Sequence, residues 1–338
     1  MDYLINKHLN LKKRNPIFFS EAKKIRKKLR NLIKKTNFLK IKNRNLNILY
    51  INDTHHEEKS FKVRGASAEI LNNYKKIKKK NTIVLASTGN FACAMANICK
   101  KNKIRCVVFV TNNIDKNKLE KLIKLKAKVF FSKNYEGAKI KAKNFSKKNN
   151  FFFSNGCNKN IFLGNSSMFL DAIDELKKRD KKITKKKVLA ILPVGNGSLA
   201  APSSIILKNT LSNIDIACVE PFNFKKSQKI LNSKISLNLK NTVADGTAIR
   251  KLPEVSKKII FQNCKYFFSF KEKEIINSMK YIFQKFKIIS EGSGALSNAL
   301  ILNYPKFVKN YEYVIVPICG GNIDKIKLLG YINKSQNK

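Results

Sequence analysis

The sequence is short of acid. It carries 22 acidic residues against 70 lysines and arginines, for a formal net charge of +48 over 338 residues. Arginines are few within that excess, although bidentate phosphate and base contacts favour arginine. The lysines run along the whole chain in company with Asn, Ile and Phe (KNKI, KNYEGAKIKAKN, KKNNFFF). Residue types that share AT-rich codons rise together under nucleotide drift, so the charge reads as drift rather than as a dedicated phosphate-binding face. A basic nucleic-acid-binding protein without catalysis is the reading from another class, and its signature is steep salt-dependent binding.

Other absences narrow the field. The seven cysteines (Cys93, Cys99, Cys106, Cys157, Cys218, Cys264, Cys319) show no paired metal spacing and no disulfide framework, which points to free thiols in a reducing compartment. The opening MDYLINKHLNLKKRN lacks the apolar core of a signal peptide, so a cytoplasmic protein is expected. Val188 to Leu207 carries no charge and has the length of a membrane span, but Pro193, Pro202 and the Gly-Asn-Gly-Ser between them interrupt it. A strand, a loop and a helix account for it better. There is no internal repeat and no long linker, and the closing INKSQNK reads as a frayed tail.

What is present is a strand–helix alternation. Apolar runs at Leu46–Ile51, Thr82–Ala86, Cys106–Val110, Lys128–Phe131, Val188–Pro193, Asp215–Glu220, Tyr266–Phe268 and Tyr313–Ile318 predict strands. Helical patterns lie between them, at Ala66–Lys78, Phe91–Lys101, Lys116–Leu125, Gly137–Lys148 and Ser166–Lys178. This order implies parallel sheets with helices on both faces. The length and a hydrophobic fraction of 43% allow two core-bearing lobes.

Ligands in such sheets bind at the carboxyl ends of strands, where several glycine-bearing loops fall. In Leu192-Pro-Val-Gly-Asn-Gly-Ser-Leu199, Gly195 and Gly197 permit positive φ, so backbone N–H groups can converge on an anion at a helix start. No Gly-Lys-Ser/Thr follows and there is no GxGxxG, so this is neither a Walker loop nor a dinucleotide loop. An ordinary strand-to-helix turn remains the alternative. In Ala86-Ser-Thr-Gly-Asn90, Ser87, Thr88 and Gly89 can hold a carboxylate and Asn90 a phenolic oxygen, or the loop is a simple helix cap. Cys319, at the end of the last strand, offers a weak S–H partner to a ring nitrogen or is a small buried hydrophobe. Ser290-Glu-Gly-Ser-Gly-Ala-Leu296 reads as close packing or a ligand wall. Lys62 stands in KSFKVRGASAEI, between apolar Phe61 and Val63. Partial burial, with Arg64 adding a like charge, would lower its pKa and leave some free amine.

Taken in order, SFKVRGA, ASTGN, PVGNGSL, TVADGTAI, EGSGAL and CGGNID resemble the fold-type II pyridoxal-phosphate enzymes, and among them the threonine/serine dehydratases (threonine ammonia-lyases). The motifs span Ser60 to Asp324. The resemblance implies two open, twisted, mostly parallel sheets flanked by helices, of the tryptophan synthase beta-like kind, with pyridoxal 5′-phosphate in the cleft between lobes. Residues 1–45 plus 135–338 would form the larger, cofactor-binding lobe and residues 46–134 the smaller, substrate-binding one.

It implies Lys62 as the Schiff-base lysine, Phe61 as a wall beside the cofactor ring, and Asn90 on the 3′-oxygen. Gly195, Asn196, Gly197, Ser198 and Leu199 would hold the phosphate, Cys319 would face the ring nitrogen, and Ser87, Thr88 and Gly89 would grip the substrate carboxylate. Threonine synthase, acting on O-phosphohomoserine, is the competing family. Its lysine motif runs Ser-Phe-Lys-Asp, and Val63 stands at the Asp position here, as suits a dehydratase. Three departures are visible, the first being Cys319 where the family usually has Ser or Thr opposite the ring nitrogen. The family's GQGT step is replaced by Gly164-Asn165-Ser166-Ser167. Where some relatives bind a divalent cation after the strand ending in Cys218-Val-Glu220, Phe224 and Lys226 stand at the further ligand positions, so no metal is assigned. The expected activity is conversion of L-threonine to 2-oxobutanoate and ammonia, or of L-serine to pyruvate, serving isoleucine synthesis. A homo-oligomer without a membrane or specific nucleic-acid partner is expected. With only a short basic helix after Asp324, isoleucine feedback is not.

Overall fold

A computed structural model describes residues 3–6, 15–43, 46–237 and 241–334. Its strands are β1 (Tyr3–Ile5), β2 (Asn37–Asn43), β3 (Leu46–Asn52), β4 (Thr82–Ala86), β5 (Arg105–Thr111), β6 (Lys128–Ser132), β7 (Phe152–Ser154), β8 (Val188–Pro193), β9 (Ile214–Pro221), β10 (Tyr266–Phe270) and β11 (Tyr313–Ile318). The helices of the first half are α1 (Pro16–Leu29), α2 (Lys62–Asn72), α3 (Tyr74–Lys80), α4 (Asn90–Lys101), α5 (Lys116–Lys124) and α6 (Tyr135–Lys148). Those that follow are α7 (Lys159–Arg179), α8 (Ala200–Thr210), α9 (Lys226–Leu231), α10 (Glu254–Asn263), α11 (Glu272–Phe286), α12 (Gly292–Asn303), α13 (Pro305–Val308) and α14 (Lys325–Lys334).

Two sheets result. The larger runs β1-β10-β9-β8-β11-β3-β2 and the smaller β6-β5-β4-β7. The smaller is parallel throughout, while the larger has a parallel centre and an antiparallel strand at each edge, β1 on β10 and β2 on β3. β8 shows why the centre is covered twice: Leu189 and Ile191 join the core under α11 and α12, whereas Ala190 and Leu192 join the core under α1, α7 and α8. A strand apolar on both faces needs helices on both.

The division between sheets differs from the expected lobe boundaries at both ends. β3 belongs to the larger sheet, pairing in parallel with β11, and β7 belongs to the smaller sheet, pairing with β4. The chain leaves the larger sheet only after Asn52 and rejoins its layers with α7, so the small sheet's strands lie between Thr82 and Ser154. The expected helix over Ala66–Lys78 is two helices, because Asn73 (φ −114°, ψ 15°) ends α2 and starts α3. Of the INKSQNK tail, residues 332–334 continue α14 and residues 335–338 lie outside the described residues. All seven cysteines are free thiols. Among the described residues no helix is long and apolar enough to cross a membrane.

Candidate active site

The segment before α2 is clamped to the end of β11. Phe61 N–H donates to the Cys319 carbonyl at 3.2 Å and Gly321 N–H to the Lys59 carbonyl at 2.8 Å, around a bridge between Ser60 and Gly320. Lys62 therefore enters α2 at its first residue, with the strand end beside it. Its amine lies 4.7 Å from the centre of the Phe61 ring and donates to Ser198 Oγ at 2.7 Å. Burial pushes the Lys62 pKa down from 10.5 to about 8, while Cys157, Cys319 and Glu291 pull weakly the other way. Loss of hydration disfavours the charged amine, which is how a lysine becomes a nucleophile or base near neutral pH.

Arg64 does not add the like charge expected of it. Its side chain is turned into the protein, 1% exposed, and gives N–H bonds to Asp53, Asp171, Ser167 and Thr36. With two carboxylates on the guanidinium, its field at Lys62 is neutralised, and desolvation alone drives the shift. This network also fixes the first turn of α2 against α7. There the backbones approach so closely that a Cβ on Gly164 would lie 2.2 Å from the Arg64 carbonyl. The unusual Gly-Asn-Ser-Ser step thus supplies a close crossing and Ser167 for Arg64. Its Asn165 amide also donates to the Ser198 carbonyl at 2.8 Å, tying α7 to the next loop.

That loop, from Val194 to Leu199, joins β8 to α8. Gly197 has φ +79°, and a Cβ there would strike Ser256 Cβ at 2.5 Å; at Gly195 it would meet the Gly246 carbonyl at 3.0 Å. Asn196 turns its side-chain oxygen back to the Ser198 N–H at 3.1 Å, and Leu199 is the N-cap of α8. The result is a backbone cradle at a helix N-terminus, open to an anion and closed to side chains.

Across from it, Gly89 is the N-cap of α4 and no side-chain cap bond is present; Ser87 Oγ instead accepts from Gly89 N–H at 3.3 Å. The simple-cap alternative for Ser87–Asn90 is therefore not what the loop does. Asn90 is held from both sides, with Nδ2 donating to Glu291 Oε1 at 2.6 Å and Oδ1 accepting from Asn322 Nδ2 at 2.9 Å. One Asn90 N–H remains for a ligand. Cys319 is buried with its Sγ 3.7 Å from the Ser293 carbonyl, and burial pushes its thiol up to about 12, so it stays neutral.

Four residues here were not singled out from sequence. Glu291 is 4% exposed, its Oε2 is buried without a partner, and burial pushes its pKa up to about 7 against the opposing charge of Lys118. Lys118, from α5, is 5% exposed and reaches Asp245 of the TVADGT segment at 2.5 Å. Asn322 completes the set. The SEGSGAL segment is indeed a close packing, since a Cβ on Gly294 would fall 2.2 Å from the Gly320 carbonyl. That same packing is what delivers Glu291. An acid among small residues at a helix start was the available signal; Lys118 had none in so lysine-rich a chain.

A desolvated amine beside a glycine-built anion cradle defines an enzyme that holds a phosphorylated carbonyl cofactor. Residues 29–320 match the family described as pyridoxal-phosphate dependent enzymes, and the chain belongs to that family. Its cofactor is pyridoxal phosphate, and an anion cradle whose Ser198 lies 2.7 Å from a desolvated amine has the chemistry to receive a phosphate and an aldehyde borne on neighbouring ring carbons. The chain is 27% identical over 285 residues to the catabolic L-threonine dehydratase TdcB of Staphylococcus aureus, covering 82% of this chain and 80% of that one. Among solved structures it is similar to the processed threonine deaminase isoform 2 of Solanum lycopersicum (TM-score 0.84, 20% identity, 99% of this chain and 92% of that one). It is also similar to a pyridoxal 5′-phosphate-dependent aspartate racemase (TM-score 0.81, 20% identity, 91% and 97%). These structural likenesses show the shared fold; the reaction has to be argued from the site.

Proposed function

We propose that the protein is a lyase that deaminates L-threonine, or L-serine, to the 2-oxo acid and ammonia. The observation that carries the reading is the Lys62 amine, lowered to about 8 and 2.7 Å from Ser198 in the phosphate cradle. When bound, pyridoxal phosphate draws electrons from the substrate Cα and makes its proton acidic. The residues supply the rest. The backbone N–H groups of the Gly195–Leu199 loop and the start of α8 take the phosphate. Lys62 would hold the cofactor through Nζ, and the same amine, when free, would accept the substrate Cα proton. The Ser87–Gly89 loop receives the substrate carboxylate. The free N–H of Asn90, oriented by Glu291 and Asn322, would be offered to the phenolic oxygen. Cys319, buried and neutral, would be a weak partner for the ring nitrogen and would not give it a full proton.

The likeness to TdcB and Val63 after Lys62 both support a dehydratase over threonine synthase, and 2-oxobutanoate made here would serve isoleucine synthesis. The test is purified holoenzyme offered L-threonine, L-serine, O-phosphohomoserine and L-aspartate in parallel. Expected are 2-oxo acid and ammonia from the first two, and loss of both with Lys62→Ala. Threonine formed from O-phosphohomoserine, or D-amino acid without 2-oxo acid, would sink the reading.

A further inference from the structure

One lysine of the larger sheet's layers is neither at the surface nor in the proposed chemistry. Lys226 opens α9, just beyond β9, and is 2% exposed. Its ammonium lies 2.9 Å from Glu220 Oε1, donates to the Val194 carbonyl at 2.8 Å, and stands 3.5 Å from the Thr247 carbonyl. Glu220 is itself 1% exposed and is fixed by Ser227, whose N–H donates to Oε2 at 2.9 Å and whose hydroxyl donates to Oε1 at 3.1 Å. Three oxygens from three chain segments thus converge on one buried positive centre, the donor set of a hard cation.

The two carbonyls come from segments that build the cofactor site. Val194 is the residue from which the chain turns into the Gly195–Leu199 cradle. Thr247 follows Gly246, whose carbonyl would lie 3.0 Å from a Cβ on Gly195. A divalent ion, which the resemblance places after β9, does not fit this residue set. Phe224 offers no side-chain ligand, and a cation bonded to Glu220 at ~2.4 Å would stand against the ammonium.

We propose that the Lys226 ammonium is a built-in cation that ties the phosphate cradle and the Asp245–Thr247 turn to β9, so that the site holds its cofactor without any added metal ion. Lys226 is a positioning residue in this scheme, acting on the cradle through two backbone carbonyls. Its charge cannot be chelated away and needs no free ion.

The experiment reads cofactor affinity, by the absorbance of bound pyridoxal phosphate, so it stands whether or not threonine proves to be the substrate. Wild-type protein stripped with chelator into a tetramethylammonium buffer should bind pyridoxal phosphate equally well, within about twofold, with or without Mg2+, Ca2+ or K+. Lys226→Met removes a charged donor from buried acceptors and should weaken cofactor binding at least about tenfold. Lys226→Asp puts a carboxylate where the ammonium stood, and Ca2+ or Mg2+ should restore most of its cofactor affinity. The proposal is overturned if stripped wild-type protein gains several-fold in cofactor affinity from a divalent ion. It is equally overturned if Lys226→Met melts lower but binds cofactor as wild type does, because the lysine would then support the core and not the cradle.

Discussion

Gly197→Ala probes the cradle at its tightest point. Two costs are readable from the structure. At φ +79° an alanine meets the left-handed steric penalty, about 1–2 kcal/mol. The new Cβ would also lie 2.5 Å from Ser256 Cβ, 2.8 Å from its Oγ and 3.2 Å from Ile260 Cδ1. Ser256 and Ile260 are fully buried on α10, so relief requires the loop or the helix to move, typically about 1–3 kcal/mol. The sum is about 2–5 kcal/mol. In the apoprotein the loop can shift and release part of it. Bound phosphate needs the native loop, so the released part is reimposed on binding and appears as lost cofactor affinity, up to about 30-fold for the lower sum, while the unreleased part lowers apoprotein stability. A pyridoxal-phosphate titration beside a urea melt of the apoprotein separates the two shares. Ser256→Gly in the same background removes the atoms struck and should recover part of the affinity. Gly330→Ala, with nothing within 4 Å of its Cβ, is the neutral comparison. If Gly197→Ala binds cofactor within about threefold of wild type and melts with it, the cradle is not where the phosphate sits.

Lys62 should be the lysine acylated first when the apoprotein is labelled sparingly below pH 8, since its pKa is lowered to about 8 while a free lysine stays near 10.5; peptide mapping by mass spectrometry reads this. Glu291 titrates near 7 in the folded protein against 4.5 unfolded, so the folded state binds the extra proton between those values. That contribution is full below pH 4.5 and is lost as pH rises through about 7, a fall of up to about 3 kcal/mol that urea melts across this range should show and that Glu291→Gln should flatten. Lys118→Met removes the cation that opposes burial at Glu291, so the same transition should move to higher pH, and an unmoved midpoint would mean that Lys118 serves Asp245 alone.

The legible parts of this fold are those written in one segment. β8, its glycine loop and α8 follow from an uncharged run broken by Pro and Gly, and each strand of the two parallel centres is an apolar run of its own. The parts that escaped depend on partners. β2 (NFLKIKN) alternates lysine with apolar residues and looks like the rest of the lysine-rich chain until β3 pairs with it. α1 carries its buried stripe, Phe18, Ala22, Ile25 and Leu29, among five basic residues that dilute it. Nothing in Leu46–Asn52 distinguishes a strand of the large sheet from one of the small, because sheet membership is set by which neighbour it meets. Arg64 reads from sequence as a charge beside Lys62, yet Asp53 and Asp171 turn it into a structural tie.

Lysine abundance explains why the catalytic candidate was found by motif and the others were missed. A lysine added by drift stays at the surface, since burying an ammonium without a partner costs several kcal/mol. Among the described residues Lys118 and Lys226 are the buried lysines, and each sits against a carboxylate, Asp245 and Glu220 respectively. Each also bridges segments far apart in sequence, and each ends at the loops around the Gly195–Leu199 cradle. Burial with a paired acid therefore separates these two from the compositional lysines, as the half-buried setting beside Ser198 separates Lys62, and it predicts different fates on substitution. Replacing a surface lysine such as Lys79 by Gln should leave stability within about 0.5 kcal/mol. Breaking a buried pair from one side leaves a charge stranded, as at Glu220 in Lys226→Met, and should cost about 3–5 kcal/mol. Urea melts of the two variants side by side read this difference, and equal midpoints would mean that the buried pair carries no more stability than a surface lysine.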